Sequence, residues 1–267
     1  MVSFPPCKIN LGLNIIRKRP DGYHDLETCF YPIPWTDILE VVPADHFQFQ
    51  STGNIIPGEG DNLCVRAYRE LEKDYNLRPV SIHLHKIIPT GAGLGGGSSD
   101  AAHVLRLLNV VCNLQLNHKQ LAHYASLLGS DCTFFLQDDP MFGSGRGEIL
   151  TPMALSLSGK FLVVAKPPVH VSTAEAYGQV RPRRPEVSLR SILESKPIGA
   201  WKEWLTNDFE QTILPRYPAI QKLKDALYDQ GALYASMSGS GAAVFGIFDR
   251  EITLVLPDDY VTWSGWM

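Results

Sequence analysis

From Pro89 to Ala102 the chain reads Pro-Thr-Gly-Ala-Gly-Leu-Gly-Gly-Gly-Ser-Ser-Asp-Ala-Ala, with five glycines in seven residues. So many glycines suit neither a strand nor a helix interior. Without side chains, successive backbone N–H groups can converge on phosphate oxygens. Apolar spacing predicts a helix directly afterwards, from Ser99 to Cys112, with Ala101, Ala102, Leu105, Leu108 and Cys112 on one stripe. The start of that helix adds the positive end of its dipole. Ser98 and Ser99 offer hydroxyls to a phosphate or its Mg²⁺. The predicted phosphate cradle comprises Pro89, Thr90, Gly91, Ala92, Gly93, Leu94, Gly95, Gly96, Gly97, Ser98 and Ser99, and the alternative is a tight structural turn. Gly91, Gly93 and Gly96 also fit G-x-G-x-x-G. However, about 20 residues beyond Gly96 there is no acidic residue for a ribose, only Asn113, Gln115 and Asn117. Gly97 is followed by Ser98, so no Gly-Lys-Ser/Thr is present either. A turn of this kind is expected at the surface, where a bulky residue at Gly95 or Gly96 would cost nucleotide binding and not folding.

Other polar clusters point less clearly to chemistry. His83 and His85 form an H-x-H pair, but strand alternation from Val80 to His85 puts both on one polar face without a third ligand. His118 and His123 are five apart and share no helix face. Arg181, Arg183 and Arg184 can clamp a phosphate or sit on a solvated loop broken by Pro182 and Pro185. Cys7, Cys29, Cys64, Cys112 and Cys132 are dispersed, an odd set that reads as reduced thiols.

The elements that must position these groups alternate between the two periods. Short apolar runs predict strands at Ile9–Ile16, Ile38–Val42, Val80–Leu84, Phe161–Ala165 and Ala242–Phe248. Further helices are expected from Asn117, with Gln120 three residues on and Gly129 as a stop, and over Tyr217–Gln230. The class is therefore mixed α/β. Turn residues around Thr151 to Gly159 suggest two domains, residues 1–155 and 156–267, and the segment Gln179 to Glu203 is expected to include a surface loop. The 267 residues are 45% hydrophobic and carry a net charge of -4. Nucleic acid and anionic membranes select basic surfaces, so neither is an expected partner. Met1 to Lys8 lacks a leader-like apolar run, and a cytoplasmic monomer or weak homodimer is expected.

Three separated segments together resemble the GHMP kinase superfamily (galactose, homoserine, mevalonate and phosphomevalonate kinases). They are Pro6-Cys7-Lys8-Ile9-Asn10-Leu11, the glycine loop, and Ser236-Met237-Ser238-Gly239-Ser240-Gly241-Ala242. Within it, Arg19-Pro20-Asp21-Gly22-Tyr23-His24, Asp61-Asn62-Leu63, Gly129-Ser130-Asp131 and Gly145-Arg146-Gly147-Glu148 resemble the branch acting on 4-diphosphocytidyl-2-C-methyl-D-erythritol. The resemblance implies a two-domain fold with the active site in the interdomain cleft, ATP and Mg²⁺ as cofactors, and a cytidyl diphosphate as the small-molecule substrate. It implies Lys8 and Asp131 as the catalytic pair, with Asp131 as base and Lys8 stabilising charge. Asn62, Leu63 and Lys86 would border the adenine. Asn10 would steady the erythritol or diphosphate, His24 would read the cytosine edge beside Tyr23, and Tyr177 would cover the other face of the base. For Tyr177 core packing is the alternative. Other members of the superfamily, of mevalonate or homoserine type, and a nucleotide sensor without catalysis are the rival readings. Three departures from the family pattern stand near these motifs: Cys7 for alanine, Cys132-Thr133 after the aspartate, expected to loosen the helix start there, and Ala242 for a hydroxyl residue. Beyond Phe248 a terminal helix is hard to discern.

Overall fold

The computed structural model describes residues 1–54 and 62–267. These form two compact units that interleave along the chain. The first holds residues 1–7, 34–90 and 95–138, and the second holds 8–33, 91–94 and 139–267. This interleaving contrasts with the single division expected between residues 155 and 156. It arises because two 13-residue strands, β2 (Pro6–Lys18) and β3 (His24–Thr36), each run across a unit boundary.

The first unit is built on a four-stranded sheet of order β1-β4-β6-β5. Its strands are β1 (Val2–Ser3), β4 (Ile38–Pro43), β5 (Gln48–Gly53) and β6 (Val80–Lys86). β4 and β6 pair antiparallel, whereas β5 and β6 pair in parallel. Alternation along β6 buries Val80, Ile82 and Leu84 and leaves His83 and His85 on the opposite face. There the Thr52 hydroxyl lies 3.0 Å from His83 Nε2 and 2.9 Å from His85 Nδ1. Three helices complete the unit: α1 (Leu63–Glu72), α2 (Gly96–Val111) and α3 (His118–Leu128). α3 starts with the expected capping box, since Asn117 and Gln120 each accept the other's backbone N–H.

The second unit contains two sheets. One, of order β2-β3-β7-β8, adds β7 (Met141–Ser144) and β8 (Ile149–Pro152). The other runs β10-β11-β9-β12, with β9 (Phe161–Lys166), β10 (Tyr234–Met237), β11 (Val244–Phe248) and β12 (Val261–Trp266) all antiparallel. The segment beyond Phe248 thus ends in a strand on β9, with Trp263 opposite Val164, and not in a helix. Helices α4 (Thr173–Gln179), α5 (Leu189–Ser195), α6 (Trp201–Trp204), α7 (Glu210–Ile213) and α8 (Pro218–Asp229) accompany these sheets. The Gln179–Glu203 segment is therefore a loop only to Ser188 and helical for much of the remainder. Leu13, Phe209, Ile213, Leu223 and Val244 belong to a buried hydrophobic core of this unit. No helix among the described residues is long and apolar enough to cross a membrane.

Candidate active site

The second half of the glycine loop lies in the first unit, at the start of α2. Gly95 has φ +70° and caps the helix without a side chain. A Cβ on Gly96 would lie 2.9 Å from Lys86 Nζ and 3.0 Å from Ile88 Cγ2. Gly96 is therefore a packing requirement, and the expectation of a superficial turn tolerant of bulk is corrected there. At Gly97 a Cβ would meet only Leu63 Cδ1, at 3.8 Å. Leu63 opens α1, whose N-cap is Asn62, with its Oδ1 accepting from Cys64 N at 2.8 Å. The start of α1 is thus brought beside the start of α2. Asp61 lies outside the described residues. Lys86 is buried, and its ammonium is spent on Asp37 and on Asp100 at 2.8 Å. Its charge is engaged inside the unit. Ser98 is half-buried, while Ser99 Oγ is fully buried and makes no hydrogen bond in the described structure.

Gly91 to Leu94 lies in the second unit, and a polar network there surrounds Lys8. Lys8 is only 3% exposed. Its ammonium donates to Asn10 Oδ1 at 2.7 Å and to the Gly93 carbonyl at 2.9 Å, while its backbone N–H donates to Leu94 O at 3.0 Å. Asn10 is held in turn, donating through Nδ2 to Thr28 Oγ1 at 2.9 Å, and Thr28 donates to Gly12 O at 2.6 Å. The second glycine-serine turn supports the same loop. Ser238 Oγ donates to Gly93 O at 2.9 Å, and Ala243 N donates to Ala92 O at 3.1 Å. Asn207 fixes that turn by donating to the carbonyls of Met237 and Gly239, both at 2.8 Å. A Cβ on Gly93, where φ is +75°, would fall 2.0 Å from Ser238 O. Only glycine permits so close an approach. Thr28, Asn207 and Ser238 carry this geometry. Of these, the sequence signalled Ser238 alone, as part of a motif. Ala242 is buried in the unit's core, which accounts for an apolar residue at that departure.

Asp131 stands in the first unit, between α3 and a short 3₁₀ turn over Phe134–Leu136. The Cys132-Thr133 departure does not loosen this segment. Cys132 N donates to Gly129 O at 3.2 Å, and the Thr133 hydroxyl donates to Ser130 O at 3.2 Å. Burial pushes the Cys132 thiol up to about 11, so it remains a neutral neighbour of Asp131.

The Arg19–His24 motif is the turn joining β2 to β3. Gly22, at φ +86°, closes it, with Arg19 N donating to Tyr23 O at 2.8 Å. Arg19 pairs with Asp21 and Asp25, and Asp21 Oδ1 accepts from Tyr23 N at 3.1 Å. These charges stiffen a turn that presents Tyr23, 57% exposed, with the Arg146 guanidinium 4.9 Å from its ring centroid. Arg146 belongs to the Gly145–Glu148 motif, whose sequence alone does not signal this contact. His24 stacks on Tyr177 with centroids 5.1 Å apart and planes 25° from parallel. Two rings this close hold no base between them. Tyr177 also meets Phe209 edge-on at 4.8 Å and packs partly buried against the unit's core, as the core-packing alternative expects. Burial, with Lys18 adding to it, lowers the His24 pKa, keeping the imidazole neutral with one acceptor nitrogen near pH 7. Arg183 and Arg184 are exposed at a separate cavity of about 450 Å³, also lined by Asn14, Trp204 and Asp208.

Comparison with known proteins identifies the family. Residues 62–139 match the N-terminal domain of GHMP kinases and residues 189–254 match the C-terminal domain. A 4-diphosphocytidyl-2-C-methyl-D-erythritol kinase of Bacteroides fragilis is 50% identical over 256 residues, covering 94% of this chain and 93% of its own. A crystal structure of 4-(cytidine 5'-diphospho)-2C-methyl-D-erythritol kinase superposes with a TM-score of 0.78 at 36% identity, over 92% of this chain and 90% of that one. A homoserine kinase from Cytophaga hutchinsonii shares the fold, with a TM-score of 0.63 at 17% identity, over 92% and 86% of the two chains. The chain belongs to the GHMP kinase family, among relatives named as kinases of 4-diphosphocytidyl-2-C-methyl-D-erythritol.

Proposed function

We propose that this kinase transfers the γ-phosphoryl group of ATP to one hydroxyl of the erythritol in 4-diphosphocytidyl-2-C-methyl-D-erythritol, a step in non-mevalonate isoprenoid precursor synthesis. The observation that carries the substrate choice is the neutral His24 stacked on Tyr177, next to exposed Tyr23. A neutral imidazole can accept from the exocyclic amino group of cytosine, and the aromatic rings offer stacking faces. Mevalonate and homoserine have no base to use either. Arg146 adds a guanidinium beside Tyr23 that suits a diphosphate.

In this reading the loop from Pro89 to Ser99 cradles the triphosphate, while Asn62, Leu63 and Lys86 border the adenine. Phosphoryl transfer passes through a loose transition state, so the protein chiefly positions groups and stabilises charge. Asp131 accepts the proton of the attacking hydroxyl. Lys8 faces the transferred group. Its ammonium is held in place by Asn10 Oδ1 and the Gly93 carbonyl. The residues at the start of α2 suit Mg²⁺: Ser98 offers a hard hydroxyl oxygen, and the Ser99 hydroxyl makes no hydrogen bond in the described structure. When bound with ATP, the ion would neutralise phosphate charge. The test is ADP release measured with the cytidyl compound, mevalonate and homoserine side by side. Faster turnover of mevalonate or homoserine would leave only the family assignment standing, and no turnover of any would favour a nucleotide sensor.

A further inference from the structure

The first unit buries two carboxylates on one ammonium. Asp37, between β3 and β4, is wholly buried, as is Asp100 near the end of the first turn of α2. Lys86 Nζ pairs with Asp37 Oδ2 and donates to Asp100 Oδ2 at 2.8 Å. The other Asp37 oxygen accepts from the backbone N–H of Ile87 at 2.6 Å and of Ile88 at 2.8 Å. Asp100 Oδ1 makes no hydrogen bond in the described structure, and burial raises the pKa of this carboxyl against the pull of Lys86.

Such a triad is a costly way to gain stability. Desolvating three charges offsets much of their attraction, and apolar side chains of similar volume often serve as well. What it does achieve is geometric. Ile87 and Ile88 are the last residues before Pro89, the entry to the glycine loop. Asp100 is one helical turn beyond Gly96, where the loop ends. Gly96 lacks a side chain in the place where Lys86 Nζ would lie 2.9 Å from its Cβ. Asp37 therefore grips the entry, Asp100 grips the exit, and Lys86 ties one to the other.

We infer that Asp37 and Asp100, acting through Lys86, are positioning residues for the nucleotide, holding both stems of the glycine loop at a fixed spacing. This rests on the reading of that loop as the ATP phosphate site. A loop pre-set in this way loses no conformational freedom when the triphosphate binds, so cutting the tie must appear in ATP binding.

The experiment compares Asp100→Ala, Asp100→Asn and Gly97→Val with wild type, following KM for each substrate, kcat and thermal melting. Asp100→Ala cuts the exit tie but leaves Lys86 paired with Asp37, so the chain should still fold. KM for ATP is expected to rise on the order of tenfold, as for one lost charged hydrogen bond, with KM for the cytidyl substrate within about twofold of wild type. Asp100→Asn keeps an acceptor for Lys86 and should restore most of the ATP affinity. Gly97→Val reports on the underlying reading, because a Cβ there meets only Leu63 Cδ1, at 3.8 Å, and the side chain would obstruct a bound phosphate. If Gly97→Val weakens ATP while a folded Asp100→Ala does not, the positioning role is refuted and the loop assignment stands. If Gly97→Val binds ATP like wild type, the loop assignment fails and the inference with it. Equal losses for both substrates in Asp100→Ala, unrescued by asparagine, would mark the triad as structural only.

Discussion

Replacing Gly93 by alanine should be far more damaging than replacing Gly97, four residues along the same loop. At Gly93 the backbone is left-handed, φ +75°, which costs a residue with a Cβ about 1–2 kcal/mol. Its Cβ would also lie 2.0 Å from Ser238 O, where ordinary contact begins near 3.4 Å, so the two segments must part by 3.4 − 2.0 = 1.4 Å. That movement takes the Gly93 carbonyl away from Lys8 Nζ and Ser238 Oγ, each now at 2.9 Å. A charged hydrogen bond contributes roughly 1.5–3 kcal/mol and a neutral one about 0.5–1.5. The total perturbation is on the order of 3–6 kcal/mol, shared between stability and the placing of Lys8. Steady-state kinetics with a melting curve should show a lower melting temperature and a kcat reduced about a hundredfold or more. Gly97→Ala meets nothing nearer than Leu63 Cδ1 at 3.8 Å and should melt like wild type. Wild-type kcat and melting for Gly93→Ala would refute the argument that the second glycine-serine turn positions Lys8 through this carbonyl.

Three further outcomes are expected. Asp131→Asn keeps size but removes the proton acceptor, so turnover should fall roughly 10²–10⁴-fold with ATP titrations little changed, and near-normal turnover would exclude Asp131 as base. His24→Ala should raise KM for the cytidyl substrate about tenfold to a hundredfold and spare KM for ATP. In wild type the same KM should rise at acid pH with a midpoint below the ordinary imidazole value of 6.5, because burial favours the neutral ring, and a midpoint above 6.5 would contradict that sign. His103, half-buried with its Nδ1 2.7 Å from the Ser3 hydroxyl, has its pKa lowered to about 4 by partial burial and by nearby Arg106. The unfolded chain then binds more protons between pH 6.5 and 4, so this contribution is complete above 6.5 and is lost as pH falls towards 4. It amounts to at most about 3 kcal/mol, and His103→Gln should flatten that part of a urea-midpoint profile against pH.

The elements that the sequence disclosed are those whose period is undisturbed. β6 alternates cleanly, α3 has its capping box, and α8 ends before Gly231, so each is legible from its own residues. β3 is harder to see, because Pro32 and Pro34 interrupt it, and β12 follows a run lacking any regular element from Glu251 to Leu256. In the site, Lys8, Asp131 and the loop stood inside motifs. Thr28, Asn207, Asp37 and Asp100 did not, since what they do depends on partners far away in sequence. Asn207 is 30 residues from Met237, and Asp37 is 50 from Ile87. No periodicity or spacing signals a contact of that kind. The Arg19–Asp21 pair was hidden for another reason: it looks like an ordinary charged turn until its hydrogen bond to Tyr23 N is seen.

The division of labour within the fold follows from what other kinases share with it. A homoserine kinase at 17% identity keeps the architecture, so the architecture by itself does not select a cytidyl group. Selection must come from side chains that such a fold does not require. The β2–β3 turn meets that description. Its hydrogen bonds from Arg19 to Asp21 and from Tyr23 N to Asp21 would hold a turn with any exposed residue at position 23, yet an aromatic ring stands there beneath the Arg146 guanidinium. His24 likewise opens β3 without needing to be an imidazole, and its ring is spent on Tyr177. The glycine loop and Lys8 network, by contrast, include close approaches that an added side chain would disturb, to the Ser238 backbone at Gly93 and to the Lys86 and Ile88 side chains at Gly96. On the proposed reading, the catalytic groups are held by tight packing, and substrate choice rests on a few partly exposed rings that can change without unmaking it.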